Sequence, residues 1–197
     1  MNPRAPPSDL QSDAALAVSA AGGDERAFAE LVRRHKEPLY RLLRRYAGDA
    51  DEAYEAAHEA FIAAWTAIGR YDPQRPFQAW LRTIAINKAR DRGRRTALRR
   101  FLFGGGLDGD GAIAAHDPAA PADEAMIERQ DLARLGLAIA RLPGPLKAAL
   151  LLTALEGRSQ QEAGDILGVS VKTIETRVHR ARKTLAQTLD PDLRPKT

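Results

Sequence analysis

The chain has 197 residues, a net charge of +4 and a pI near 9.6, which allows one or two small domains and suits a polyanionic partner. It has no cysteine, which excludes disulfides, thiolate metal sites and cysteine catalysis. No apolar run approaches the length of about eighteen residues that a membrane span needs, and the N-terminus lacks the apolar core of a signal peptide. We therefore expect a cytoplasmic protein without membrane insertion.

The N-terminal residues have the composition of a leader. Residues 1–11 are Pro-rich and polar, which predicts a disordered segment. Residues 12–96 form the first predicted domain, which opens with a short helix over residues 12–20. The glycine pair that follows is expected to end this helix.

A long helix is predicted from a cap at Asp24 to about Tyr46. Its apolar residues recur mostly three, four or seven positions apart, as they do on one face of a helix. Pro38 lies inside this segment, so we expect a kink or a break just before it.

The next predicted helix spans about residues 51–68 and has an apolar side and an acidic side. Its first turn is acidic, as the helix dipole favours. We place Trp65 on the apolar side, and the opposite side carries Glu52, Glu55, His58 and Glu59.

A loop over residues 69–76, rich in proline and glycine, leads to a third helix predicted from Phe77 to about Arg95. Residues 77–100 hold eight Lys or Arg and one acid, so this helix has a basic outer face, on which we place Arg82. Aromatic residues lie among these bases, namely Tyr71, Phe77 and Trp80. This mixture suits single-stranded nucleic acid, because cations follow the backbone and rings stack on bases. The alternative is that the rings belong to the core and the arginines form a solvated face.

Residues 97–124 have the composition of a flexible linker, rich in Gly, Ala, Asp and Pro. From Gly104 to Ala125 there are five acids and no Lys or Arg. This length and this reversal of charge mark a domain boundary. The second predicted domain covers residues 125–190, and a short polar tail covers residues 191–197.

The second domain is predicted to contain two helices before its main motif. The first runs to about Arg141, and a Leu-Pro-Gly-Pro sequence at residues 142–145 ends it. The second, over residues 146–155, is apolar enough to be the buried centre of a helical bundle.

A helix-turn-helix is predicted over residues 157–183. Ser159 and Glu162 form a capping box that opens its first helix, Gly168 supplies the C-cap, and Ser170 caps the second helix. The apolar residues of the second helix form one stripe, and the opposite face is polar and basic; that face carries Lys172, Thr173, Thr176, His179, Arg180 and Lys183, with Glu175, Arg177 and Arg182 on its flanks. Such an element is typical of DNA recognition in the major groove. The alternative is an ordinary helical hairpin with a solvated charged face.

The motifs of common enzymes are missing from the sequence. The glycines at residues 104–106 lack the lysine of a phosphate-binding loop, no Ser, His and Asp form a nucleophilic set, and the four His show no metal-ligand spacing. We therefore expect no enzyme activity, no cofactor and no metal. All periodic segments have helical spacing, so the predicted fold class is all-α, with two small helical domains joined by a flexible acidic linker.

Two parts of the chain together resemble the extracytoplasmic-function (ECF) sigma factors. Residues 142–152, followed by residues 156–182, are similar to region 4 of that family. Residues 23–32, 61–65 and 77–87 are similar to region 2. The resemblance implies a promoter-specificity subunit of bacterial RNA polymerase, active in transcription initiation during stress responses. Its implied partners are core RNA polymerase, promoter DNA as duplex and melted strand, and an anti-sigma factor.

The resemblance also implies roles for individual residues. The minus-35 element would be read by the second helix of the helix-turn-helix, through Lys172, Thr173, Thr176, Arg177, His179, Arg180 and Lys183. The melted minus-10 element would be held by Tyr71, Trp80, Asn87, Lys88, Arg90 and Arg94. Core polymerase would be bound by Glu52, Glu55, His58 and Glu59, of which Glu55 and His58 depart from the usual Asp and Gln of the family. Glu175 stands where many relatives have a basic residue. It could accept from cytosine N4, but we expect it to form a salt bridge, either with Arg182 or, more plausibly, with His179.

The sequence alone leaves three alternatives open. A stand-alone helix-turn-helix regulator would need to dimerise on two half-sites. A sigma-like decoy would bind an anti-sigma factor and would not bind DNA. The acidic linker is either a segment suited to a channel built for nucleic acid or a solvated tether; under the first reading, deletion of residues 104–118 should alter early RNA synthesis or promoter escape.

Overall fold

The computed structural model describes residues 11–102 and 124–189, and all regular secondary structure in these ranges is helical. The first domain contains four helices, α1 (Asp13–Ala21), α2 (Glu25–Ala47), α3 (Ala50–Ala67) and α4 (Phe77–Leu102), with a 3₁₀ turn (Ile68–Arg70) after α3. The second contains α5 (Glu124–Arg141), α6 (Gly144–Leu150), α7 (Gln160–Leu167) and α8 (Val171–Leu189), and a π-helical turn (Leu151–Leu155) continues α6. The predicted all-α class with two helical domains is confirmed.

The predicted domain boundaries remain predictions. The leader, the tail and most of the linker lie outside the described residues, which exclude 1–10, 103–123 and 190–197. Helix α4 ends at Leu102, whereas the sequence pattern predicted an end near Arg95.

Helix α2 is the centre of the first domain, where it packs against α1, α3 and α4. The Asp24 carboxylate caps it by accepting hydrogen bonds from the backbone N–H groups of Arg26 and Ala27, which satisfies donors that a helix start leaves open. Gly48 ends it in the left-handed conformation, with φ at 81°. The cap at Asp24 is therefore confirmed.

Pro38 does not break α2, contrary to the predicted interruption. The helix is continuous from Glu25 to Ala47, although a proline inside a helix costs roughly 3 kcal/mol through a lost hydrogen bond and a steric clash. The residues that follow Pro38 include Leu39, Leu42 and Leu43, all of them buried. Each such burial contributes roughly 1.5–3 kcal/mol, so the packing of α2 outweighs the cost of the proline.

Helix α3 is buried through small residues, while Trp65 lies on the predicted apolar side, where it faces α2. The buried stripe consists of alanines, namely Ala53, Ala56, Ala57, Ala60 and Ala64. Trp65 stays 37% exposed, and its ring lies against Phe28 of α2, 4.9 Å away between centroids. The alanine stripe keeps α3 close to its neighbours, so the bulky indole lies at the edge of the interface.

The second domain is built around α6 and α8, which pack on each other. Leu151, Leu152 and Ile174 are fully buried there, which agrees with the predicted buried helix over residues 146–155. Pro145 falls in the first turn of α6, where a proline costs nothing because its missing N–H would be unpaired anyway.

The two domains pack directly against each other, α4 against α7 and α2 against α5. The Arg82 guanidinium donates two hydrogen bonds to the Glu156 carboxylate, and the Thr83 hydroxyl donates to the Ile166 carbonyl at 3.0 Å. Arg82 is only 4% exposed, so its predicted place on a solvated basic face is wrong. The second domain covers it, which no local pattern could reveal.

Candidate nucleic-acid interface

The helix-turn-helix forms as its local signals predicted. The Glu162 N–H donates to the Ser159 hydroxyl at 3.1 Å, and the Ser159 N–H donates to the Glu162 carboxylate at 2.9 Å, which completes the capping box. Gly168 takes the left-handed conformation at φ 65°, and the next N–H, of Val169, donates back to the Gly164 carbonyl at 3.0 Å. The turn between α7 and α8 is therefore closed by backbone hydrogen bonds.

The close approach of the two helices depends on a second glycine. Gly164 is buried in α7, and a Cβ atom at this position would lie 2.8 Å from the Val169 carbonyl oxygen. Only a residue without a side chain lets the turn pass this close to α7.

Helix α8 presents its polar face to solvent. Ser170 caps it, with its hydroxyl accepting from the Thr173 N–H at 3.2 Å, and the buried stripe is Ile174, Val178, Ala181 and Leu185. Of the residues predicted to read the minus-35 element, Thr173 and Arg177 are half-buried, and the exposed ones are Lys172, Thr176, His179, Arg180 and Lys183. Most of this predicted surface is therefore open to a ligand.

Two polar contacts on α8 are internal to the helix. The Thr176 hydroxyl donates to the Lys172 carbonyl at 2.9 Å. The Lys172 ammonium lies 3.2 Å from the Glu175 carboxylate, so the expected pairing of Glu175 with His179 is wrong. A lysine three residues earlier reaches the carboxylate on the same helix face.

The aromatic residues around the start of α4 form one cluster. The ring centroids of Tyr71 and Trp80 are 5.3 Å apart, and those of Phe77 and Trp80 are 5.6 Å apart. Tyr71 and Phe77 are buried, the Tyr71 hydroxyl donates to the Arg75 carbonyl, and burial raises the pKa of that hydroxyl. Trp80 is half-buried, so it is the member of this cluster with an accessible edge.

The remaining predicted minus-10 residues lie further along α4. Asn87, Arg90 and Arg94 are exposed, and Lys88 is half-buried. Arg90 donates to the Asn87 side-chain oxygen at 3.1 Å. These side chains form a polar, positively charged surface further along the same helix as Trp80, as single-stranded nucleic acid requires.

The acidic side of α3 divides into two parts. Glu52 and Glu59 both accept hydrogen bonds from Arg92 of α4, at 3.0 and 2.6 Å, whereas Glu55 and His58 are exposed. Beside them a groove of about 360 Å³ separates α2 from α3. Apolar and charged side chains line it, including Val32, Lys36, Tyr40, Tyr54, His58 and Phe61.

Comparison with known proteins agrees with this arrangement. Residues 31–99 match the family model "Sigma-70 region 2", and residues 132–185 match "Sigma-70, region 4". The chain is 38% identical over 185 residues to the RNA polymerase sigma factor CnrH of Cupriavidus metallidurans, covering 92% of this chain and 96% of CnrH. It is 34% identical over 172 residues to the ECF RNA polymerase sigma factor SigW of Bacillus subtilis, covering 85% and 91%. The chain belongs to the ECF sigma factor family.

Solved structures show the same family fold. The structure of CnrH in complex with the cytosolic domain of CnrY matches this sigma factor with a TM-score of 0.65 and 35% identity, covering 92% of this chain and 99% of that one. The sigma factor RpoE of Bartonella quintana, in complex with the anti-sigma factor NepR, matches with a TM-score of 0.61 and 24% identity, covering 82% and 96%. The second likeness concerns the fold alone.

Sequence reasoning about this sigma factor missed the polar groups between its domains. Lys147 of α6 is 8% exposed, and its ammonium donates to the carbonyls of Tyr46 and Ala140 at 2.9 and 2.6 Å. Burial lowers its pKa from 10.5 to about 8. The one signal in the sequence was a lysine inside an otherwise apolar helix.

A second missed group joins α1 to α2. Asp13 pairs with His35 at 2.7 Å and with Arg34 at 3.0 Å. Glu30 accepts from Arg33 and Arg34, whose hydrogen bonds lower its pKa from 4.5 to about 2. The helical spacing of Glu30 and its arginines was visible in the sequence, but the contact across 22 residues with Asp13 was not.

Residues 11–102 and 124–189 contain no group of three side chains arranged to hold a metal ion. Over the same ranges, none of the helices is long and apolar enough to cross a bilayer.

Proposed function

We propose that this ECF sigma factor binds core RNA polymerase and reads promoter DNA at two places, with α8 on the minus-35 duplex and α4 on the melted minus-10 strand. The observation that carries the proposal is the helix-turn-helix, whose apolar stripe is buried while its basic face is open to solvent. It works by binding and positioning, without catalysis or a cofactor. Its place of action is the cytoplasm, where RNA polymerase transcribes.

On α8 the proposed readers divide by chemistry. Arg177 and Arg180 suit bidentate contacts to guanine, each worth roughly 1–3 kcal/mol of discrimination. Thr176 and His179 suit other base edges. Thr173, Lys172 and Lys183 are proposed to contact phosphates, which position the helix without reading sequence.

On α4 the proposal assigns different roles to the buried and exposed residues. Trp80 stacks on an extruded base, and Asn87 binds the edge of a base. Lys88, Arg90 and Arg94 follow the phosphate backbone of the melted strand. Tyr71 is proposed to act by supporting Trp80, because the Tyr71 ring is buried and packs against the Trp80 ring.

The core polymerase contact is proposed on the outer side of α3. Glu55 and His58 are exposed and can pair directly with a basic partner surface. Glu52 and Glu59 already share Arg92, so their proposed role is to offer the remaining carboxylate oxygens. We also propose regulation by an anti-sigma factor, since the relative CnrH, which shares this fold, was solved in complex with the cytosolic domain of CnrY.

Run-off transcription with purified core polymerase and a promoter library tests this function. The chain should direct specific transcripts, and Arg177→Ala with Arg180→Ala should abolish those that depend on a minus-35 element. Arg182→Ala is the matched control, because Arg182 is exposed on the opposite flank of the same helix. Duplex binding without transcripts or core binding would favour a stand-alone regulator, and loss of all three activities would favour a decoy.

A further inference from the structure

The interface between the domains covers part of the surface that α4 uses in the proposed function. At 100° per residue, Trp80, Thr83 and Asn87 lie on one face of α4, three and four positions apart. Thr83, between the other two, donates its hydroxyl to the Ile166 carbonyl in α7. Helix α7 of the helix-turn-helix therefore contacts α4 between Trp80 and Asn87, on the face that the proposed function gives to the melted strand.

Charged groups reinforce this contact on both sides. Arg82 is buried and bonded to Glu156 from the other domain, and Arg158 donates to the Gln78 side chain across the same interface. A buried guanidinium is costly unless it is paired, so the closed form, which buries Arg82, depends on Glu156 to pair with it.

A second set of contacts joins the domains where α2 ends. The Lys147 ammonium donates a hydrogen bond to the Tyr46 carbonyl in the last turn of α2. Next to it, a Cβ atom added at Gly48 would lie 2.7 Å from the Cβ of Ala140, so the Gly48 backbone packs closely against the Ala140 side chain of α5. The interface is thus anchored at two separated points.

The closed arrangement is incompatible with reading both promoter elements at once. Positions minus-35 and minus-10 are about 25 base pairs apart, or about 85 Å of duplex at roughly 3.4 Å per base pair. In the closed form α7 touches α4, and α8, about 28 Å long at roughly 1.5 Å per residue, follows α7 after a three-residue turn. The 21 residues between Leu102 and Glu124 can span at most about 70–75 Å, which permits a wide separation of the domains.

We propose that the free sigma factor is autoinhibited: the contacts of Arg82, Thr83 and Lys147 hold the second domain over the minus-10 face of α4, and the domains must separate before promoter DNA is read. In the closed form, the Glu156 carboxylate forms the ion pair with Arg82. This inference rests on the proposed function for its consequence, but the closed form itself can be tested separately.

Fluorescence energy transfer within the full chain measures the closed form directly. The chain has no native cysteine, so Ser19→Cys and Thr184→Cys, both at exposed positions, place a donor and an acceptor on different domains. Glu156→Gln should lower the transfer efficiency and raise the ratio of open to closed chain at least tenfold. Asp131→Asn is the matched control, since it removes a carboxylate whose 3.8 Å pair with Arg134 lies within α5.

A second pair of variants tests the interface at its other anchor. Gly48→Ala should also open the chain, because the new methyl group presses on Ala140. Gly23→Ala is the control: it has the same left-handed strain, at φ 95°, with nothing within 4 Å of its Cβ. Circular dichroism confirms that each variant keeps its helices.

The outcomes separate this inference from the proposed function. If Glu156→Gln and Gly48→Ala leave the transfer efficiency at the values of their controls, the closed form is refuted whatever the transcription result. If they open the chain, Glu156→Gln should also lower the concentration that gives half-maximal run-off transcript; an unchanged concentration would overturn autoinhibition. Absence of transcripts with every variant would refute the proposed function and leave the measured closure standing.

Discussion

Replacement of Gly164 by alanine should damage the helix-turn-helix, although alanine is the better helix former. The new Cβ would lie 2.8 Å from the Val169 carbonyl oxygen and 3.8 Å from the Val171 nitrogen. The first distance is too short and the second is an ordinary contact. The Val169 carbonyl belongs to the turn that positions α8, so it cannot move away without displacing the start of that helix.

The magnitude follows from two opposing terms. Alanine in a helix interior gains about 1 kcal/mol over glycine, and overpacking of a tight contact costs roughly 1–3 kcal/mol. Gly164→Ala should therefore lower the free energy of unfolding by up to about 2 kcal/mol. Gly93→Ala isolates the first term, because Gly93 is exposed in α4 with nothing within 4 Å of its added Cβ; it should raise stability by about 1 kcal/mol.

Urea unfolding of the two variants and the parent chain measures both effects. With a slope of roughly 1–3 kcal/mol per molar urea, a difference of about 2 kcal/mol between the variants separates their midpoints by about 1 M. Gly164→Ala should also weaken transcription from promoters that depend on a minus-35 element. Equal stabilisation by the two alanines would refute the argument that Gly164 is required by the approach of the turn.

Three further predictions follow from the charged groups. Because the pKa of Lys147 is lowered in the folded chain, the unfolded chain binds this proton more tightly. The free energy of unfolding of the parent, minus that of Lys147→Met, should therefore rise between pH 8 and pH 10.5. A difference that does not change over this range would contradict the prediction. The pKa of Glu30 is lowered from 4.5 to about 2, so its contribution to the free energy of unfolding is present above pH 4.5 and is lost as the pH falls towards 2. Glu30→Gln should therefore make the free energy of unfolding fall less steeply between pH 4.5 and pH 2. An equally steep fall in the variant and the parent would contradict this. Lys183→Ala should reduce the slope of the logarithm of the duplex-binding constant against the logarithm of salt concentration by about 0.9. Lys172→Ala should reduce it less, because Glu175 already pairs with that lysine. Slopes equal to that of the parent chain would show that neither lysine contacts a phosphate.

The parts of the fold that the sequence predicted well are those encoded by neighbouring residues. The capping box of Ser159 and Glu162, the left-handed Gly168 and the buried stripe that includes Ile174 all depend on groups within a few positions of each other. Such signals are complete in the local sequence, so the amino-acid pattern alone was enough to place the helix-turn-helix.

The parts that it predicted poorly depend on distant residues. Arg82 resembled its solvated neighbours because its partner, Glu156, lies 74 positions away. Pro38 predicted an interruption that the burial of the following leucines overrides. Trp65 lies on the predicted apolar side of α3, but its spacing could not show that it stays 37% exposed, because the alanines beside it already fill the buried face.

The measurement that tests the two-element account most directly is site-specific DNA cleavage in a promoter complex of core polymerase and the full chain. The absence of native cysteine allows an iron chelate to be attached at Thr184→Cys in α8 or, separately, at Asp91→Cys in α4, both exposed positions. We expect cleavage near minus-35 from α8 and near minus-10 from α4, about 25 base pairs apart on the same promoter. Cleavage from both helices at one place, or from neither, would contradict it.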